Sequence, residues 1–170
     1  MTINVFLAPW AEAQRRNVAG SLADDLRGVN CPTDWLVTPT AWKTMDIHRL
    51  SHVIMSLEKL KPVLDRHNRQ RLLPATERLF QYSQNFQLDV PMGKQFIAIS
   101  LESCTEIVKG FDSADFDALQ RLYRKHCLTD CHEGETDDRF ESCFLSVLLQ
   151  WREAAAEAST RKWGLLGVAA

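Results

Sequence analysis

The feature that most constrains this chain is the segment DRFESCFLSVLLQWREAAAEA, Asp138 to Ala158. From Cys143 to Trp151 only Ser146 and Gln150 are polar. Wound at about 3.6 residues per turn, that run is apolar on nearly every side, and a helix of that kind has to be wrapped by other elements. Thr136 suits its N-cap, Asp137 and Asp138 place negative charge in the first turn, and the alanine-rich tail favours helix. The segment therefore predicts the central helix of one helical domain.

The rest of the chain supplies the wrapping. Pro9 suits a first helical turn, and Trp10, Val18, Leu22 and Leu26 continue it to a stop at Gly28. Ile47, Leu50, Ile54, Leu57 and Leu60 or Leu64 form a second apolar stripe, which Pro62 kinks or ends. The polar run Asp65–Arg71 leads to Pro74, the expected first turn of a helix bearing Leu79, Phe80 and Phe86. QFIAISL (residues 95–101) contains β-branched residues, but no partner strands lie nearby in sequence. It is therefore read as helix, running through Cys104 and Val108 to a stop at Gly110. Ser113 is expected to cap a helix carrying Phe116, Leu119, Leu122 and Tyr123.

The resulting fold class is all-α: a single domain over 1–170, with about six helices around the apolar C-terminal one. Residues 1–7, where Ile3, Val5 and Leu7 alternate, are left as an arm or lone strand. The tail from Thr160, with Trp163, Leu165, Leu166 and Val168, is either docked or seeking a partner. At 170 residues a core can form without staples, and five cysteines, an odd number, suggest reduced thiols in the cytoplasm. MTINVFLAPWAEAQRR makes a poor secretory signal, and no apolar run approaches the ~18 residues of a membrane span.

Several constellations could carry chemistry. His126, Cys127, Cys131, His132 and Glu133 gather thiolate, imidazole and carboxylate donors suited to zinc or to thiol sensing, without a CxxC pair. His48 and His52 share a helical face, but Arg49 stands where a zinc hydrolase places its glutamate, so a satisfied surface pair is the simpler reading. Arg66, Arg69 and Arg71, with Arg121 and Arg124, would make a phosphate-binding surface if the two segments met. The net charge of −2 argues against a dedicated nucleic-acid coat. RLYRKH (Arg121–His126) fits the loose R-x4-H spacing of helical HEPN-type ribonucleases, with Leu122 where a polar residue usually follows the arginine. So loose a spacing arises about once by chance in such a chain and ranks last.

Nucleophile-elbow, Walker, dinucleotide and zincin motifs are missing from the sequence, so no cofactor is expected. Five tryptophans are many for this length, and tryptophan is enriched at binding hot spots. The first expectation is thus a non-enzymatic interaction module, an adaptor, regulator or specialised chaperone. It would bind another protein, or a second copy of itself, in an aromatic-lined groove near Trp35, Trp42 and Trp163. The alternatives are a nucleic-acid-associated protein using the arginines and a metal- or thiol-responsive sensor using the cysteine–histidine cluster.

Overall fold

The computed structural model describes residues 2–22, 45–80, 96–128 and 137–169. In order these form β1 (Thr2–Ala8), α1 (Trp10–Val18), β2 (Met45–Asp46), α2 (Ile47–Leu60), a 3-10 turn (Lys61–Val63) and α3 (Arg66–Phe80). Then follow β3 (Phe96–Ile99), α4 (Leu101–Asp112), α5 (Phe116–His126), α6 (Asp137–Arg161) and β4 (Gly164–Ala169). The molecule is mostly helical, as the sequence reading expects. Its helices pack on an antiparallel sheet of order β2-β1-β4-β3 rather than only around one another.

The sheet's two central strands lie in the segments outside the expected helices. The arm is β1, the tail is β4, and the two pair from Ile3↔Ala169 to Ala8↔Gly164. QFIAISL is not helical through its length: Phe96–Ile99 is a strand, in register with β4 from Phe96↔Val168 to Ile99↔Leu165. Its partner lies near the far end of the chain, so nothing in the neighbouring sequence points to it.

Side-chain parity sorts the strands between two cores, because successive residues point to opposite faces. Val5, Leu7, Ile99 and Leu165 enter the main core with α2 to α6. Phe6, Ala8, Ala98 and Leu166 face the other way and pack with Ala13, Leu22 and the partly buried Trp10. Cross-strand partners obey the same rule: Leu7 opposes Leu165, and Phe6 opposes Leu166. The layers are thus α1, the sheet, and the remaining helices.

The long helix α6 turns a seam of Phe144, Val147, Leu148, Trp151, Ala154, Ala155 and Ala158 inward, all buried. Those positions recur at i, i+3 and i+4, one face of an α-helix. Leu149 falls on the opposite side and is 42% exposed. The expectation that this segment is enclosed all round is therefore corrected: one face is wet. Leu145 is partly buried against the core. The expected N-cap, Thr136, lies outside the described residues.

Capping explains several shifted boundaries. The backbone N–H of Asn68 donates to Asp65 Oδ1 at 2.9 Å, so the polar run starts α3 and Pro74 sits inside that helix. Backbone donation from Asn68 also holds the Asp65 carboxyl below its ordinary pKa. The buried Asn68 side chain donates to the Asp115 carbonyl (3.0 Å) and accepts from its N–H (2.8 Å), joining the starts of α3 and α5. Asp115, not Ser113, caps α5, accepting from Ala118 N at 2.9 Å. Ser113 closes α4, which runs past Gly110. α1 ends before Gly20 (φ 78°) rather than at Gly28, with Ser21 N donating to the Arg16 carbonyl at 3.0 Å.

α6 ends in the same six-to-one closure. Trp163 N donates to the Ala158 carbonyl at 2.8 Å and Lys162 N to the Ser159 carbonyl at 3.1 Å. The left-handed position between helix and strand is Lys162, at φ 60°. A side chain there costs about 1 kcal/mol against glycine. Lys162→Gly is expected to raise unfolding stability by up to about 1 kcal/mol, read from denaturant midpoints.

Two glycines sit where a Cβ has no room. A Cβ at Gly110 would stand 2.5 Å from Ala75 Cβ and 2.7 Å from the Arg71 carbonyl oxygen, so α4 crosses α3 closely there. One at Gly164 would meet Trp10 Cε3 at 2.4 Å and the Ile99 carbonyl oxygen at 2.7 Å. Alanine ordinarily favours a helix interior by up to about 1 kcal/mol over glycine, but overpacking costs about 1–3 kcal/mol. Both Gly110→Ala and Gly164→Ala should therefore destabilise; a gain in chemical-denaturation stability at Gly110 would contradict this packing.

Candidate functional site

A histidine, a tyrosine and a phenylalanine meet where α2, α5 and α6 join. Val53, Leu57 and Leu60 turn one face of α2 into the core, and His52 at its margin is half-buried. Across the junction Tyr123 of α5 is wholly buried, its ring stacked on Phe144 of α6 at 4.4 Å between centroids. His52 Nε2 lies 2.7 Å from the Tyr123 hydroxyl, with the imidazole edge-on to the phenol ring. A neutral imidazole carrying its proton on Nδ1 accepts the phenol O–H at Nε2. Burial, and then the charge of Lys59, hold the His52 pKa below its ordinary value.

This arrangement can accept and release a proton, and it ties α2 to α5 through a hydrogen bond to a buried tyrosine. The pairing of His48 and His52 pointed to a surface pair. The signal it missed is Tyr123, which lies on the apolar stripe of α5 and brings a hydroxyl into the core.

The cysteine–histidine cluster is brought together only in part. Cys127 closes α5 and is buried, with Sγ 3.9 Å from the Ser56 carbonyl oxygen, while His126 is half-buried at the helix end. Cys131, His132 and Glu133 lie outside the described residues. Among the described residues no three His, Cys, Asp or Glu side chains converge as a metal would need. Cys104 is also buried, and desolvation pushes its thiol pKa up to about 12.

Asn68 and Asp115 join the starts of α3 and α5, which sets Arg66, Arg69 and Arg71 near the start of α5, while Arg121 and Arg124 lie in its later turns. Arg66, Arg69, Arg71, Arg121 and Arg124 are all exposed. Arg69 is already engaged: its guanidinium donates to the carbonyls of Pro62 and Leu64, each at 3.2 Å, and so completes the 3-10 turn. His67, in the same segment, is bonded to the Ser113 carbonyl at 2.6 Å. In the R-x4-H hexapeptide, Arg121 is exposed and His126 half-buried on α5.

Of the tryptophans expected to line a groove, Trp35 and Trp42 lie outside the described residues. Trp163 is half-buried against the main core, with the Arg161 guanidinium 5.5 Å from its ring centroid. Large apolar side chains do stand in solvent elsewhere. Met55 on α2 is 65% exposed and Leu149 on α6 is 42% exposed. Each lies about half a turn from the buried stripe of its own helix.

No protein family, curated protein or solved structure compared with this chain matches it. No described helix is long and apolar enough to cross a membrane.

Two measurements check the junction. Because the fold favours neutral His52, the unfolded chain takes up the proton first as pH falls. The contribution is complete above the ordinary imidazole pKa of about 6.5 and is lost as pH drops below it. His52→Gln should therefore flatten part of the decline in Tm between about pH 7.5 and 5.5; an unchanged slope would mean that His52 is not held neutral. Since thiolate is the reactive species, Cys104 and the buried Cys127 should resist alkylation in the native protein at about pH 8 and react after denaturation. Mass spectrometry of the two peptides reads the outcome.

Proposed function

We propose that this chain is a helical interaction module of the cytoplasm, an adaptor, regulator or specialised chaperone that binds a protein partner through apolar surface. The observation that carries this reading is the outward placement of Met55 and Leu149 on two helices that pack against each other within the main core. Methionine is adaptable and is over-used at surfaces that accept varied partners. The engagement of Arg69, His67 and His52 in bonds that hold the fold together supports the same view. Buried free thiols at Cys104 and Cys127 agree with a reducing compartment. The partner is another protein, a second copy of this chain included, and the proposal keeps Trp35, Trp42 and Trp163 as contact residues expected from the sequence.

The test compares capture from native extract by the wild type and by a Met55→Glu, Leu149→Glu double variant. Burying one such side chain contributes about 1.5–3 kcal/mol, so the variant should lose partners at least about tenfold in affinity. Its thermal stability should change little, as for exposed substitutions generally. An identical set of captured proteins, with unchanged sedimentation of the variant itself, would count against the reading.

A nucleic-acid-associated role is the second reading, supported by the exposure of Arg66, Arg71, Arg121 and Arg124. It requires RNA or DNA affinity that falls steeply with salt and weakens in Arg121→Glu. Arg69 is a poor probe, because its loss would also disturb the turn it completes.

A further inference from the structure

We draw no further inference here: the strongest candidate, the shallow groove between α3 and α4 lined by Gln70, Arg71, Glu106, Lys109 and Gly110, sets two cations beside a carboxylate, and neither buried polar atom without a partner among the described residues, Asn17 Oδ1 or Trp151 Nε1, belongs to a residue lining it, so nothing shows which ligand it would take.

Discussion

The pairing of β1 with β4 is the constraint on which the rest depends. It joins the two ends of the described chain in the middle of the sheet, with six cross-strand partners from Ile3↔Ala169 to Ala8↔Gly164. Loop closure over so long a separation is less costly than it looks. Each doubling of loop length adds only about 0.6 kcal/mol, so the increment over a tight hairpin is about 3–4 kcal/mol. Val5, Phe6, Leu7, Leu165 and Leu166 are all buried by this pairing and the layers on it. Two such side chains, at about 1.5–3 kcal/mol each, offset the extra closure term. The contact is slow to find but worth keeping once found, and it makes the helical layers one unit.

From that pairing the position of the long helix follows. α6 ends at Arg161, the chain reverses through Lys162, and Trp163 delivers it to β4. The helix cannot slide along its axis without pulling β4 out of register. Two polar ties to α4 act in the same sense: Arg152 donates from Nε to Asp112 at 2.8 Å, and the Thr105 and Ser159 hydroxyls lie 3.0 Å apart. Alanines at 154, 155 and 158 keep the inward face of α6 narrow where it approaches its neighbours. The helix is central because the sheet holds its end and α4 holds its flank. That account also leaves room for an outward face bearing Leu149.

What could be read from sequence was the local part. Leu57, Leu60 and Leu64 of the second stripe, and Leu119 and Tyr123 of a later one, are buried as their spacing implies, while Val53, which that reading passed over, is buried with them. The sheet could not be read in the same way, since its evidence is divided among three short apolar runs at residues 2–8, 96–99 and 164–169. VFLA in β1 is buried on both faces, so it lacks the polar alternation that marks a half-wet strand. Polar runs misled for a different reason. Asp65 and Asn68 look like loop residues until their bonds to one another and to Asp115 are known, and those bonds are tertiary. For the candidate site, the residue types were visible but their company was not: His52 meets Tyr123 across 71 positions.

The two kinds of surface in this molecule follow separate rules, and that separation bears on function. Polar side chains near the core are mostly engaged, as Asn68, Thr76 and Tyr123 are, because an unpaired buried group costs about 1–3 kcal/mol. The Trp151 indole N–H has no partner among the described residues, and a ring burying so much apolar area outweighs that cost. Met55 and Leu149 answer to no such requirement of the fold. Each stands opposite a stripe that is already buried, so replacing either leaves the core seam and the β1–β4 closure in place. A surface that can change without unfolding its scaffold lets the proposed binding be tested apart from stability.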